Sequence, residues 1–314
     1  MPIINFLIYL LTMIGIYSLL AMSLNFQVGF TGLINFGQVA FFCVGAYTSS
    51  LLVVKAGVPL IIGFLGGMAL SGLFGYLISI PTKSLKADYW AIATLAGGEV
   101  IRLIALNEGW LTEGPFGVMS IPQPLRWLFS RDTYPLFYLL LVIACVVVVY
   151  FILSLLTDSP FGRDLKAIRD EEDLCLSLGK NTQRLKLQAM VVAGIVAGLA
   201  GALFAHYITY ISPENFKPIE TFLMWAMIIV GGRGNHLGAI LGAVVIQLFN
   251  VSTRFIGGYV PFGADFMAAL RMVIIGTLIV VFTLYRPEGL IKEKKKIYNL
   301  KGRNKGKAGL KGKK

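Results

Sequence analysis

The feature that most constrains this chain is a series of long apolar runs separated by short polar stretches. A helix needs about 20 mostly apolar residues to cross about 30 Å of hydrocarbon. Nine segments approach that length: 3–24, 33–54, 60–80, 88–106, 134–156, 187–211, 218–231, 237–256 and 266–285. No soluble domain of any size fits between them. The pattern predicts an all-α polytopic membrane protein with about nine (eight to ten) transmembrane helices.

The charges are few and unevenly distributed. Hydrophobic residues make up 56% of the chain and charged residues 14%, against about 25% charged in soluble domains. Of the net charge of +12, residues 292–314 contribute +10, from ten Lys, one Arg and one Glu. This concentration argues against nucleic acid as a partner. It predicts a transmembrane domain over 1–290 and a disordered basic tail over 291–314 that contacts membrane lipid.

The same basic residues predict the orientation, because Lys and Arg collect in cytoplasmic loops. The segment 157–186 and the tail are both rich in them, so both are expected inside, with the C-terminus cytoplasmic. Counting spans from these points places the loop 107–133 and the N-terminus outside. A split within 3–54 would give ten spans and an internal N-terminus.

Motifs of catalysis and metal binding are missing from the sequence. Cys43, Cys145 and Cys175 have no paired spacing, and His206 and His236 lack nearby ligands, so neither a disulfide framework nor a metal site is expected. There is no phosphate-binding glycine loop of the Walker type and no dinucleotide pattern. We therefore expect no cofactor, no catalytic residues and no ATPase activity of its own.

Glu99 and Arg102 are the clear ionisable pair within the apolar runs. They are three residues apart on a predicted helix, so they share a face and can neutralise each other. This spacing favours a structural ion pair. The alternative is an ion-coupled secondary transporter acting alone, for which this pair would have to sense the ion.

A second polar group lies in the stretch 24–50, beside four glycines. Buried amides and hydroxyls need partners, so these side chains should face other helices or a cavity. The residues alone leave helix–helix hydrogen bonding and a translocation pathway equally open. Small residues at Gly194, Gly198 and Gly201 predict close helix packing.

The block "FGRDLKAIRDEEDLCLSLGK" at 161–180 has eight charged residues between Arg163 and Asp173. Ser159 as N-cap, Pro160 in the first turn, and Gly179 and Asn181 as stop signals predict one cytoplasmic helix of about 18 residues. Leu165, Ile168, Cys175 and Leu178 would form its apolar face. The pattern is typical of either a surface helix or a helix that docks to a partner.

The block and the span after it resemble branched-chain amino-acid ABC transporter permeases of the LivM type. Four further stretches agree in the same order: "GLINFGQVAFFCVGAYT" at 32–48, "ADYWAIATLAGGEVIRLIALN" at 87–107, "IIVGGRGNHLGAILGAVV" at 228–245 and "LYRPEGLI" at 284–291. The resemblance covers essentially the whole chain except the tail. It implies a subunit of a bacterial inner-membrane importer that moves Leu, Ile, Val or other neutral amino acids inward. Relatives associated with urea or short amides leave that substrate class as an alternative.

The resemblance also implies partners and roles. The expected partners are a homologous second permease, two cytoplasmic ATP-binding subunits that use ATP, and an extracytoplasmic substrate-binding protein. The charged loop 157–186 would be the coupling helix, with contacts to the ATPase from Arg163, Arg169, Asp170, Glu171, Glu172, Asp173 and Gly179. The family pattern has an acidic residue and two alanines, where this chain has Asp173, Leu174 and Cys175. Candidate pathway residues are Asn25, Gln27, Asn35, Gln38 and Thr48.

Overall fold

The computed structural model describes residues 2–82, 85, 87–256 and 264–293. Within these residues the chain is helical, without strands, and an isolated antiparallel bridge joins Val118 to Ile211. The helices are α1 (Pro2–Thr31), α2 (Gln38–Val54), α3 (Leu60–Thr82), α4 (Ala87–Asn107), α5 (Gly109–Thr112), α6 (Tyr134–Asp158), α7 (Pro160–Asp170), α8 (Glu172–Ser177), α9 (Thr182–Ile208), α10 (Pro218–Gly231), α11 (His236–Ile256) and α12 (Ala264–Tyr285). Short 3₁₀ turns cover Gly114–Phe116, Arg126–Leu128 and Pro213–Phe216.

Each of the nine predicted apolar segments lies mostly on one of these helices, with residues 33–37 and 209–211 outside them. This confirms an all-α bundle with multiple apolar helices. Among the described residues, α1, α3, α4, α6 and α9 are long and apolar enough to cross a membrane. Helices α10 and α11 are long and apolar enough only when they are taken together, as a pair bent by 119°. Helix α2 and the apolar part of α12 are shorter. Nine spans are compatible with this arrangement and are not established by it.

Close approach of backbones holds α2, α3 and α9 together. A Cβ atom added to Gly198 on α9 would lie 2.8 Å from the Gly67 carbonyl oxygen and 2.6 Å from the Ser71 Cβ. One added to Gly45 on α2 would collide with the backbone of Gly198. In lipid the hydrophobic effect contributes little to the association of helices. Van der Waals packing of this kind is therefore one of the main interactions that hold them together. The predicted packing role of the α9 glycines is confirmed.

Helix α1 runs through the middle of the bundle and contacts α6, α9, α10 and α11. It ends at Thr31 and is followed by Gly32, whose φ of 74° suits glycine. Residues 32–37 then leave the helix, and α2 begins beside Ser23, eight residues back along α1. Eight helical residues correspond to about 12 Å. The segment 32–37 therefore returns into the bundle, where protein covers its non-helical backbone.

The charged block forms two short helices rather than the single helix that was predicted. Ser159 caps α7 by accepting a hydrogen bond from the Gly162 amide, as expected. The chain then breaks at Glu171, which is extended at φ −152° and ψ 92°. Asn181 is the N-cap of α9 instead of a stop signal, because its side chain accepts from the Arg184 amide. Leu178 lies beyond α8 and is exposed, so it is not part of the buried face.

The chain after α12 folds back onto the turn between α10 and α11. The Leu290 and Ile291 amides donate to the Val230 and Gly231 carbonyls at 2.9 and 3.0 Å. Residues 291–293, the start of the predicted tail, are therefore held against the bundle. Residues 294–314, to which the prediction of disorder mainly applied, lie outside the described residues.

Candidate functional site

A buried hydrogen-bonded cluster, here called the polar hub, joins the return segment to α1 and α9. The Gln27 side-chain amide donates to the Gln38 oxygen at 2.8 Å, and the Asn35 amide donates to the Gln27 oxygen at 2.7 Å. The Gln38 amide donates to Ser23 Oγ at 2.7 Å, and Ser23 in turn donates to the Ala193 carbonyl of α9. All four polar side chains are fully buried. The hub thus satisfies its own polar atoms in an apolar interior.

Side chains from α4 and α10 satisfy the backbone of the return segment. Thr94 accepts from the Phe36 amide at 3.2 Å, and Thr221 accepts from the Val39 amide at 3.0 Å. The Trp225 indole donates to the Asn35 carbonyl at 3.0 Å. The bonds to Asn35 and Phe36 replace helical hydrogen bonds that residues 32–37 lack, and the bond to Val39 satisfies the first turn of α2. Such bonds are the condition for irregular backbone at membrane depth.

The remaining predicted pathway residues lie apart from this network. Asn25 is buried, and its oxygen accepts from the Gly234 amide at 2.9 Å, linking α1 to the α10–α11 turn. Thr48 is half-buried on the face of α2 that packs on α3, close to Gly66. The structure therefore brings Gln27, Asn35 and Gln38 together and places Asn25 and Thr48 elsewhere.

Glu99 and Arg102 form the ion pair that their spacing predicts. The Arg102 Nε lies 3.0 Å from both carboxylate oxygens of Glu99, and an Nη atom also donates to that carboxylate. The side chains are 35% and 16% exposed, respectively. The pair lies on α4 at a partly open flank.

At the end of the bundle that carries α7 and α8, Arg169 points inward. Its Nη1 donates to the Gly29 carbonyl in the last turn of α1, and the same atom lies 3.0 Å from the Glu293 carboxylate. Its Nε also donates to the neighbouring Asp170. Arg169 thus fastens α7 to α1 and to the segment after α12. These contacts occupy a side chain that the sequence had suggested for contact with a partner.

The other residues of the predicted coupling surface divide into two groups. Glu172 accepts from Lys186 at 2.6 Å and ties α8 to α9, so it too makes an internal contact. Five remain exposed on the outer side of the two helices: Arg163, Asp170, Glu171, Asp173 and Gly179. Gly179 has a φ of 76°, a conformation that suits the tight exit proposed for it.

Beside the exposed charges, α8 and its C-cap present three leucines to solvent: Leu174, Leu176 and Leu178. Cys175, between the first two, is buried. An exposed apolar group with a charged rim is typical of a surface that contacts another protein.

A cavity of about 660 Å³ opens at the same end, between α6, α7 and the start of α11. Arg163, Lys166 and Arg169 line it together with Asp158, Asp170 and Glu293, so positive and negative groups are balanced. The described part of the chain contains no cluster of three or more His, Cys, Asp or Glu residues that could hold a metal ion.

With this arrangement in place, comparison with known protein families decides the assignment. Residues 6–283 match the family described as "Branched-chain amino acid transport system / permease component". The chain belongs to this permease family. It is accordingly a multi-pass membrane protein and a transport subunit.

Individual members of the permease family support the same assignment. The chain is 33% identical to the high-affinity branched-chain amino acid transport system permease protein LivM of Salmonella typhimurium, over 89% of this chain and 68% of that protein. It is 26% identical to a probable branched-chain amino acid transport permease protein LivM of Methanocaldococcus jannaschii, over 89% of this chain and 91% of that protein. It is 28% identical to the autoinducer 2 import system permease protein LsrC of Yersinia enterocolitica, over 75% of this chain and 66% of that protein.

Two residues of this permease that make long-range contacts were not singled out from its sequence. Glu293 was assigned to the tail, yet it contacts both Arg169 and Lys166. Glu220 in the first turn of α10 accepts from the Tyr17 hydroxyl at 2.8 Å. Only its position two residues after Pro218, at the start of an apolar helix, could have indicated it.

Proposed function

We propose that this permease is the membrane subunit of an ATP-driven importer that carries branched-chain amino acids into the cytoplasm. Membership of the permease family is the observation that carries the proposal. The LivM relatives, named for branched-chain amino acids, support the substrate, whereas LsrC is named for a different one. The test is to measure uptake by the assembled transporter for leucine, isoleucine and valine, and separately for urea and short amides. The class that is taken up decides between the two substrates.

The proposed assembly has a second permease, two cytoplasmic ATP-binding subunits and an extracytoplasmic binding protein, in the bacterial inner membrane. ATP would be used by the partner subunits and not by this chain. The basic residues of α7 and of the segment that follows α8 support a cytoplasmic position for this end and for the C-terminus. A transporter working alone would move substrate in vesicles without ATP or partners, and that result would contradict the proposal.

The exposed face of α7 and α8 is the proposed contact with the ATP-binding subunits. It joins α6 to α9, so a movement of the docked subunit would reach two long helices directly. Arg169 fastens the same unit to α1. The inward contacts of Arg169 and Glu172 assign them to positioning the helices, and the outward residues Asp170, Glu171 and Asp173 to the contact itself.

A focused substitution tests this docking face. Changing Asp170, Glu171 and Asp173 to Ser, and Leu174 and Leu176 to Ser, removes exposed groups together with the exposed Arg169–Asp170 contact. It leaves the Arg169–Glu293 and Glu172–Lys186 ion pairs in place. We expect ATPase co-purification and uptake to be lost while membrane insertion is retained. The matched control changes the exposed Arg131 and Asp132, at the opposite end, to Ser and should retain both. Undiminished ATPase binding by the docking-face variant would refute the assignment.

The polar hub and the residues near it are the proposed lining of the translocation pathway. The support is a helix interrupted at membrane depth, an arrangement that transporters use at substrate sites. In the described conformation Gln27, Asn35 and Gln38 are bonded to one another and buried, so transport would require these bonds to open. Asn25 and Thr48 remain predicted pathway residues on the evidence of sequence alone.

A further inference from the structure

Arg169 lies at the meeting point of three cavities. The first is the cavity of about 660 Å³ between α6, α7 and the start of α11. A second of about 660 Å³ and a third of about 270 Å³ adjoin the return segment, and Gly32 and Ile34 line both. Among the described residues, Arg169 alone lines all three. The two larger cavities, each of the size that holds a small molecule, thus meet at this side chain.

The contacts of Arg169 form the walls between these cavities. Its ion pair with Glu293, at 3.0 Å, joins two residues that each line both the first and the second cavity. Its stem packs on Gly32, where an added Cβ atom would lie 3.2 Å from the Arg169 Cγ, and both residues line the second and the third cavity. Displacement of this one side chain would therefore join the cavities.

The return segment connects the cavities to the polar hub. Leu33 and Ile34 line the third cavity, and the next residue, Asn35, belongs to the hub. The Leu33 amide also donates to the carbonyl of Gln27, another hub residue, at 3.1 Å. The proposed pathway lining and the cavities therefore lie at the two ends of one short segment.

The charges around Arg169 allow its side chain to move without leaving any of them unpaired. If the guanidinium leaves Glu293, that carboxylate keeps Lys166, whose ammonium is 3.3 Å away. Arg169 keeps its contact with Asp170 on its own helix, at 3.0 Å. A buried charge without a counter-ion is costly, and this arrangement avoids that cost.

We infer that Arg169 is the gate at the cytoplasmic end of the translocation pathway, in addition to positioning α7. The substrate would leave along residues 32–34 once the side chain has moved aside. Arg169 lies on α7, which is part of the proposed docking face, so a movement of the docked ATP-binding subunit would act directly on the gate. The inference rests on the proposed function, including the cytoplasmic position of this end, and adds a named gate to it.

Thiol labelling tests the gate. Leu33 is 5% exposed, so Leu33→Cys, with the three native cysteines changed to Ala, should react slowly with a membrane-impermeant reagent in inside-out vesicles that hold the complete transporter. Arg169→Ala removes the charged hydrogen bonds that close the gate, so the reaction should become at least about tenfold faster. Asp164→Asn, on the same helix, breaks the ion pair with Lys180 and is the matched control that should leave the reaction slow. Native Cys43, kept as the sole thiol, is 2% exposed and should stay slow in Arg169→Ala, which excludes general loosening.

A reversible cross-link gives a second, independent measurement. In Gly32→Cys/Arg169→Cys the two Cβ atoms would lie about 3.5 Å apart, within reach of a disulfide. Oxidation should close the gate and abolish leucine uptake, and a reductant should restore the uptake of the reduced variant. The matched pair Gly15→Cys/Val142→Cys, with a Cβ separation of 3.7 Å, joins α1 to α6. It lies about 25 Å along α1 from Gly32 and should leave uptake unchanged when it is oxidised.

Equal labelling of Leu33→Cys with and without Arg169→Ala would overturn the inference, and so would equal acceleration by Asp164→Asn or at Cys43. Uptake that survives oxidation of the first cross-linked variant, or is lost equally in both, would overturn it as well. If the wild-type transporter imports no leucine, the proposed function fails. The labelling experiment needs no transport and still tests the gate in that case.

Discussion

The Arg169 guanidinium lies 3.0 Å from the Glu293 carboxylate and joins α7 to the segment after α12 across 124 residues of sequence. The Lys166 ammonium lies 3.3 Å from the same carboxylate, so Glu293 holds α7 at two points one turn apart. Because Arg169 also binds the Gly29 carbonyl, three distant parts of the chain meet at this guanidinium. A displacement of α7 by a docked partner would therefore be transmitted to α1 and to the α12 segment.

Glu293→Gln should weaken this junction. The Arg169 and Glu293 side chains are about four-fifths buried. Loss of the Glu293 charge removes the carboxylate that Lys166 and Arg169 share and leaves Arg169 only its exposed partner Asp170, at an expected cost of about 1–2 kcal/mol in unfolding free energy. Leucine uptake per ATP hydrolysed by the assembled transporter should fall as well. The matched control is Glu113→Gln, which removes an exposed pair with Lys55 and should cost less than about 0.5 kcal/mol. Equal effects of the two variants would contradict the proposed role of Glu293.

Gln38→Leu should disrupt the polar hub. Gln38 accepts from Gln27 and Asn35 and donates to Ser23, so its loss leaves several buried polar atoms unsatisfied. We expect a loss of about 2–4 kcal/mol, the sum of one or two such penalties of about 1–3 kcal/mol each. Thermal unfolding in detergent measures it. Thr48→Val, at a half-buried site for which the structure records no side-chain hydrogen bond, is the control and should unfold near the wild-type temperature. A stable Gln38→Leu variant would show that the hub does not hold the return segment.

The helices were predictable because the apolar runs leave few alternatives at membrane depth, where every backbone polar group must be satisfied. The cap at Ser159 and the packing of the α9 glycines follow from local rules and were predicted correctly. The break at Glu171 was not predicted, since "RDEED" contains neither Gly nor Pro. Without such a signal, the periodicity of the block continues smoothly across the break.

The candidate site was less predictable, because its contacts join residues far apart in sequence. The sequence contains 28 basic and 16 acidic residues, and nothing in their spacing pairs Arg169 with Glu293. The intrahelical pair of Glu99 and Arg102 was predictable, since three residues of separation place them on one face. For the hub, the residues alone left helix–helix bonding and a pathway open, and the described conformation shows the bonding.

Gly198→Ala should loosen the contact between α2, α3 and α9. The added methyl group would overlap the Gly67 carbonyl and the Ser71 side chain, and overpacking of this kind costs about 1–3 kcal/mol. The melting temperature of the purified chain should therefore fall. Gly276→Ala is the matched control, because no atom of a neighbouring residue lies within 4 Å of the point that its methyl group would occupy, and alanine is the better helix former. It should leave the melting temperature unchanged or slightly higher, and a similar fall in both variants would refute the packing argument.

Leu174 and Cys175 stand where the resemblance described above implies two alanines, and the structure predicts different consequences for each. Leu174 is 58% exposed beside the docking charges, so Leu174→Ala should change the affinity for the ATP-binding subunits and leave the melting temperature within about 1 °C, as surface changes of under about 0.5 kcal/mol do. Cys175 is buried, so Cys175→Ala should lower the melting temperature and leave affinity unchanged. Titration of the detergent-solubilised permease with the proposed ATP-binding subunits measures the affinity, and thermal unfolding measures the melting temperature. If Cys175→Ala altered affinity and Leu174→Ala did not, the assignment of the outward face of α8 would be reversed.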